Sequence, residues 1–280
     1  MSFVCLSLYA EDDEDENKTV KVGNFYLPSS QQPGPLVGIG ENIIGKGQTQ
    51  VFYLGDYYRG KNKYFIDAFP SVLYGISDKL SIFINAPFAI RYKDSIHHSK
   101  GIEDVFVQLE YAFYNKEEKY YVEQATVVGN VSFPTGSATA IPPTGFGTPS
   151  AFLGFTYNYT GVDWFYFGAC GATVTGTHNG TKIGNQYLYE AGFGRNILNS
   201  AGWMYAWMIE IDGYYTEKNK IKGSVDPNSN GNVIYVTPSL WISSEHWIVQ
   251  LGAGCAIQQH LFGHQGRNQY LLIGNFGRTF

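Results

Sequence analysis

Charged side chains recur at every second position of otherwise apolar segments, a spacing that places them together on one face of a β-strand. Glu210 and Asp212, for example, alternate with Trp207, Ile209 and Ile211. Charges inside a closed sheet can line a path for solutes, or they can bridge one another and close that path. The residues expected on this inner face are Lys79, Arg91, Asp104, Glu110, Glu190, Glu210 and Asp212. The sequence favours neither arrangement over the other.

Other kinds of chemistry find little support in the sequence. Three cysteines provide neither zinc-ligand spacing nor a disulfide scaffold, and we expect Cys170 and Cys255 to be free thiols on non-neighbouring strands, packed as small hydrophobic residues. A lipid hydrolase would need a nucleophile beside a base. His246 is predicted at a periplasmic end of the barrel and has no evident serine partner at the opposite rim. We therefore predict no enzyme activity, no metal and no cofactor.

Composition excludes several further classes of protein. The 280 residues include 22 Tyr, 19 Phe and 5 Trp, which is too aromatic for a disordered chain. A net charge of -5 argues against nucleic acid as a partner. No stretch reaches the roughly 18 uninterrupted apolar residues that a spanning helix requires. What remains is a β protein rich in tyrosine and glycine.

The elements that must position the charges are strands with a period of two. The alternating segments are 48–58, 63–76, 79–92, 102–114, 119–133, 149–160, 162–175, 185–196, 202–216, 232–242, 245–258 and 267–280. Short and long connections alternate between them, as in outer-membrane barrels with an even number of strands. The fold class predicted is all-β: a transmembrane antiparallel up-and-down β-barrel of about 12 strands, with both termini in the periplasm.

Aromatic residues on the opposite face favour lipid rather than water as the surroundings of this barrel. Trp203, Tyr205 and Trp207 would aggregate if exposed to water, whereas at a bilayer interface they form a girdle. The final strand ends on Phe280, which is similar to the C-terminal signal that outer-membrane proteins present to their assembly machinery, although Arg278 departs from it. Outer-membrane lipid and the barrel assembly machinery are therefore the expected partners, in the bacterial outer membrane.

The chain divides by composition into three parts. Residues 1–10 are apolar and end on Ala10, which predicts a residual signal peptide, with an ordinary chain terminus as the alternative. Residues 11–46 begin with an acidic run and continue with several prolines, which predicts either a periplasmic N-terminal extension or a plug. Residues 47–280 form the predicted barrel.

Four segments in order along the chain carry a family resemblance: 101–113, 127–136, 145–154 and 163–168. Together they resemble the outer-membrane proteins grouped as the "MetA-pathway of phenol degradation" family, and the Phe-Pro-Thr-Gly element at 133–136 is the most specific part. The resemblance covers residues 45 to 280. It implies a transporter-like barrel associated with the uptake of aromatic compounds, and it implies no catalytic residues.

Two functions follow from this sequence. The first is an outer-membrane channel or transporter for the passive passage of small solutes, with aromatic or hydrophobic compounds as candidates. The alternative is a structural or surface-interaction barrel with a closed lumen, whose loops 134–148 or 217–231 bind a partner. Trimeric porins usually have larger subunits, so we expect a monomer.

Overall fold

The computed structural model describes residues 21–39 and 42–280, and it shows a closed antiparallel β-barrel of twelve strands. The strands are β1 (Thr49–Gly60), β2 (Lys63–Ser77), β3 (Leu80–Asn85 and Phe88–Asp94), β4 (His97–Ile102 and Phe106–Glu118), β5 (Tyr121–Ser132), β6 (Ser150–Gly161), β7 (Trp164–Thr175), β8 (Gln186–Ser200), β9 (Trp203–Thr216), β10 (Gly231–Ser244), β11 (Trp247–Leu261) and β12 (Asn268–Thr279). Each strand pairs with the next, and β1 pairs with β12 to close the barrel. The predicted fold class is confirmed.

Helical structure is limited in the described chain to two short 3₁₀ turns, Gly23–Tyr26 and Ser29–Gln31. No helix within residues 21–39 and 42–280 is long and apolar enough to cross a membrane. The predicted signal remnant, residues 1–10, and the acidic run that follows it lie outside the described residues.

The two ends of the barrel differ in the length of their connections. One end, the short-turn end, carries the brief turns after β2, β4, β6, β8 and β10. The other, the long-loop end, carries loops 133–149, 176–185, 217–230 and 262–267, together with two tight turns. A small three-stranded sheet of Thr181–Lys182, Lys220–Ile221 and Ser224–Val225 joins two of these loops. The predicted alternation of short and long connections therefore holds with one change.

That change concerns residues 93–101, which were expected to form a loop and instead continue β3 and β4. His97–Ile102 pairs with Phe88–Asp94 around a turn in which Ser95 adopts a positive φ of 53°. Residues 93–101 carry two histidines and two lysines rather than alternating apolar residues. Their strand character comes from backbone pairing, which a pattern of side-chain polarity does not report.

The outer face of the barrel is apolar and aromatic. Along β9 the inward side chains of Met204 and Met208 are fully buried, while Ile211 on the other face is exposed. Rings cluster on this outer face, as in the stacking of Tyr159 on Tyr166 with centroids 4.6 Å apart. Most of the large exposed hydrophobic side chains lie on strands rather than loops. Such a surface is complementary to hydrocarbon and is costly in water.

Two outer-face features bear on expectations from the sequence. Arg278 lies between the rings of Trp247 and Phe280, with its guanidinium carbon 4.8 and 4.7 Å from their centroids. Its departure from an apolar residue therefore fits an aromatic cluster at the short-turn end. Cys170 and Cys255 are free, as expected, but both side chains are exposed on the outer face rather than packed inside the protein.

If the outer face contacts lipid, an arginine placed on it should destabilise the barrel most where the bilayer is most apolar. Replacing Leu251, an exposed residue in the middle of β11, by arginine should lower the free energy of unfolding by about 2–4 kcal/mol, because the charge enters hydrocarbon. The matched variant Ile76→Arg, near the end of β2, should cost at most about 1 kcal/mol. Urea titration in lipid vesicles measures both, and equal costs would contradict a lipid-facing outer wall.

Candidate functional site

The lumen is occupied by the N-terminal segment, defined here as residues 21–39 and 42–48. The segment begins at the short-turn end, where the backbone N–H of Asn24 donates to the carbonyl of Val162 at 2.7 Å. Further along, the carbonyl of Gln31 accepts from Trp241 Nε1 at 3.2 Å and from Ser243 Oγ at 2.8 Å. These contacts fix the segment across the barrel opening before it turns inward.

Three carboxylates of the lumen wall bind the backbone of the segment at its deepest point. Glu210 Oε1 accepts from the N–H groups of Leu36 and Val37 at 2.7 and 3.2 Å. Glu190 Oε2 accepts from the N–H of Ile39 at 2.8 Å. Buried backbone N–H groups need acceptors, and a charged acceptor makes the stronger bond.

Glu110 binds the segment on the opposite wall. Its Oε2 accepts from the backbone N–H of Asn42, and its Oε1 accepts from the side-chain amide of the same residue, both at 2.8 Å. Gln108 Nε2 also donates to Oε1 at 2.6 Å, which holds the carboxylate in place. The chain then returns towards β1, with the N–H of Lys46 donating to Asp78 at 2.9 Å.

Packing supports these hydrogen bonds. Leu36 is buried in an apolar cluster with inward residues of β7 and β9–β12, among them Phe167, Met208 and Ile273. Gly38 lies directly against Glu190, and a Cβ added at Gly38 would overlap that carboxylate. The backbone at this point must therefore be glycine for the segment to reach its acceptor.

Asp212 completes the group of inward carboxylates on this wall. It is fully buried and pairs across the sheet with Glu190, while Glu210 lies two residues away on the same face of β9. Neither carboxylate oxygen of Asp212 has a hydrogen-bond partner within the described chain. In residues 21–39 and 42–280, no group of three or more His, Cys, Asp and Glu side chains is placed to hold a metal ion.

Asp104 does not face the solute path but fastens the long loop 133–149. It lies in the break of β4, where its Oδ1 accepts from the N–H of Gly136 at 2.9 Å and its Oδ2 from Phe146 at 2.8 Å. Thr135 adds a second fastening, since its hydroxyl accepts from the N–H of Val105 at 2.9 Å. The Phe-Pro-Thr-Gly element thus clamps the loop onto the break in β4.

Arg91 lies on the outer face, so its predicted inward position is wrong. The register between β2 and β3 slips beside Asp67, which pairs with Ala89, and the extra residue Ile90 inverts the alternation beyond it. The Arg91 guanidinium carbon lies 5.9 Å from the ring centroid of Tyr64, on the outer side. A bulge of this kind turns every later side chain to the other face.

Lys79 is also misplaced by the alternation rule, because it lies in the exposed turn between β2 and β3. The expected mixture of charges inside the barrel is therefore wrong. The charges on inward strand positions between the two rims are all carboxylates in the described chain: Asp56, Asp67, Glu110, Glu190, Glu210 and Asp212. None of them forms a salt bridge with a lysine or arginine of that chain.

Asp56 and Asp67 also lie on inward positions, although they are not among the residues that the sequence analysis expects there. They pair directly across β1 and β2 on the inner face. Both lie in alternating segments, Asp56 after Phe52 and Leu54, and Asp67 before Phe69. The same alternation rule that identifies Glu210 would have found them.

Two cavities, each about 420 Å³, flank the N-terminal segment. The first lies towards the short-turn end and is lined by Asn115, Gln124 and Phe165 among others. The second, called the β1–β4 cavity below, lies between residues 35–39 and 42 of the segment and the inner faces of β1 to β4, with further walls from β11 and β12. The lumen is therefore filled in part and hollow in part, and solute selection by its carboxylates stays a prediction.

Comparison with solved structures supports the fold. An outer-membrane channel from Pseudomonas putida F1 matches with a TM-score of 0.70 at 14% identity, over 87% of this chain and 100% of that chain. A NanC porin matches with a TM-score of 0.47 at 10% identity, over 82% and 98% of the two chains. LpxR from Salmonella typhimurium matches with a TM-score of 0.44 at 10% identity, over 84% and 100%.

At 14% identity the likeness to the Pseudomonas structure supports the barrel fold and nothing finer. The other two likenesses, with TM-scores below 0.5, carry no argument. No protein-family model matches the chain. No curated protein matches it either. The resemblance to the MetA-pathway family therefore stays a prediction.

The docking of the segment can be tested at Gly38. The variant Gly38→Ala should displace residues 36–39 from Glu190 and make the segment sensitive to protease, because the added Cβ overlaps the carboxylate. A lost bond to a charged acceptor costs about 1.5–3 kcal/mol, so the undocked fraction should rise at least about tenfold. Gly34→Ala is the matched control, since nothing lies within 4 Å of its added Cβ. Equal cleavage rates in the two variants would contradict the docking geometry.

The fastening of loop 133–149 can be tested at Asp104. Asp104→Ala removes the acceptor of two backbone N–H groups, so hydrogen exchange at Gly136 and Phe146 should accelerate about tenfold or more. Asp104→Asn keeps one carbonyl oxygen and should leave one of these two amides protected. Unchanged exchange at both amides in Asp104→Ala would show that the loop is held by other contacts.

Proposed function

We propose that this chain is an outer-membrane channel that carries small solutes passively, and that its N-terminal segment closes the lumen at rest. The observation that carries the proposal is the binding of residues 36–39 and 42 by Glu210, Glu190 and Glu110 inside the barrel. A barrel of twelve strands is wide enough to leave space around a single extended segment, as the two flanking cavities illustrate. The segment would thus have to move for a solute to pass.

Opening of the lumen requires several hydrogen bonds between the segment and the wall to break, and each of them can be replaced by a hydrogen bond to water. Each carboxylate of the lumen wall binds backbone N–H groups, and water can replace those acceptors once the segment leaves. The glycine at position 38 and the prolines at 28, 33 and 35 keep the segment extended rather than helical. Withdrawal towards the short-turn end would open the lumen without unfolding any strand.

Several finer features belong to the same proposal. The apolar outer wall supports outer-membrane lipid as the surroundings, and Phe280 on the last strand supports recognition by the barrel assembly machinery. We place both termini in the periplasm, expect a monomer, and assign no enzyme activity and no nucleic-acid partner. Membership of the MetA-pathway family, with aromatic or hydrophobic compounds as solutes, rests on the sequence resemblance.

The alternative is a surface-interaction barrel whose lumen stays closed. It is favoured by the number of contacts that hold the segment and by the ordered loops at the long-loop end, including the small sheet of Thr181–Lys182, Lys220–Ile221 and Ser224–Val225. In that case the segment would be a permanent part of the core, and loops 134–148 or 217–231 would bind the partner. The channel is preferred because a permanently closed core gains nothing from a carboxylate such as Asp212, whose two oxygens have no hydrogen-bond partner within the described chain.

Conductance in planar bilayers separates the two functions. The intact chain should show rare, brief openings, whereas deletion of residues 11–46 should give steady current, because the deletion removes most of the segment. Gly38→Ala should lie between them, with Gly34→Ala behaving as the intact chain. Absence of current from every form, including the deletion, would favour the surface-interaction barrel.

A further inference from the structure

We infer that the β1–β4 cavity binds organic ammonium ions with an apolar body, such as aryl-alkyl amines. The inference rests on the proposed function, because it names the class of solute that such a channel would accept. Four features of the cavity point to this class: its volume, its rings, its acceptor groups and the sign of the charge around it.

Volume and walls suit a small apolar body. The cavity measures about 420 Å³, within the usual range for small-molecule sites. Its wall carries the rings of Phe52, Tyr58, Phe69, Phe83 and Phe106. Ring faces of this kind attract ammonium groups as well as apolar surface.

The polar part of the cavity includes oxygen atoms that could accept a hydrogen bond but receive none from the described chain. Asn85 is only 4% exposed, its amide nitrogen donates to Ser71 Oγ at 2.9 Å, and its Oδ1 has no partner in the described chain. Asn275 repeats this arrangement, with its amide nitrogen donating to Gln250 at 2.7 Å and its Oδ1 unpartnered. Asp56 adds an unpartnered carboxylate oxygen to the same cavity. Buried acceptors that lack donors call for a ligand that brings them.

The surrounding charge has one sign. Asp67 lies directly across the sheet from Asp56, and two carboxylates in that position repel each other unless a shared proton or a bound cation lies between them. Lys63 is the inward cation of β2, and it belongs to the outermost residue pair at the long-loop end, beside Gly60. An ammonium ion would balance the charge that these strands leave uncompensated, whereas an anion would add to it.

Binding to the refolded full-length chain in detergent micelles tests the inference by calorimetry. Three probes of similar size are compared: phenethylammonium, the neutral phenethyl alcohol and the anion hydrocinnamate. Phenethylammonium should bind at least about tenfold more tightly than either of the others. Because this comparison needs only the native sequence, it does not depend on the folding of any variant.

Variants then locate the site. Asp56→Asn, which keeps the shape of the side chain, should weaken phenethylammonium about tenfold or more and leave phenethyl alcohol unchanged. Asp163→Asn is the matched control, since Asp163 is an exposed carboxylate in the turn between β6 and β7, far along the chain from the cavity.

The outcomes distinguish this inference from the proposed channel. Equal binding of the three probes, tighter binding of hydrocinnamate, or an Asp56→Asn variant that binds phenethylammonium as the native chain does would each overturn the ammonium site. Steady current from the deletion variant alongside such a result would leave the channel standing without the site. Preferential ammonium binding without current from any form would support the site and contradict the channel.

Discussion

Backbone N–H groups brought into the interior of a barrel must find acceptors there, and this requirement organises the lumen of the protein. Residues 36–39 and 42 form no strand with the wall, so side chains must provide what a neighbouring strand would otherwise supply. Glu210, Glu190 and Glu110 do so from three different strands. The position of these carboxylates, the glycine that faces Glu190 and the apolar residues that pack on Leu36 are all consequences of housing an extended chain inside a closed sheet.

The barrel wall faces the lumen on one side and the outside of the barrel on the other, and alternate residues of each strand point to the two sides. Inward positions of β7 and β9–β12 supply the apolar residues that pack against the segment, whereas those of β1 to β4 combine rings with carboxylates and leave a cavity. The outward positions carry isoleucine, leucine and aromatic rings on nearly every strand. The lumen is thus asymmetric, tightly packed on one side and hollow on the other, with carboxylates on both.

Periodicity was sufficient to predict the strands and the face of most residues, because a residue's side of the sheet follows from its number along a regular strand. It placed Glu110, Glu190, Glu210 and Asp212 on inward positions. It placed Arg91 on the wrong side, because the bulge at Ile90 adds a residue that no pattern of polarity reveals. The contacts between residues 36–39 and 42 and the lumen carboxylates could not be predicted either, since they join positions up to 174 residues apart and depend on backbone atoms that every residue shares.

One hydroxyl group links three parts of the chain at the short-turn end. Thr279 Oγ1, on the last strand, accepts from Gln50 Nε2 of the first strand at 2.8 Å and from Gln31 Nε2 of the N-terminal segment at 2.5 Å. The seam of the barrel and the docking site of the segment therefore share an atom. A change at this hydroxyl would therefore loosen the closed seam and the docked segment together.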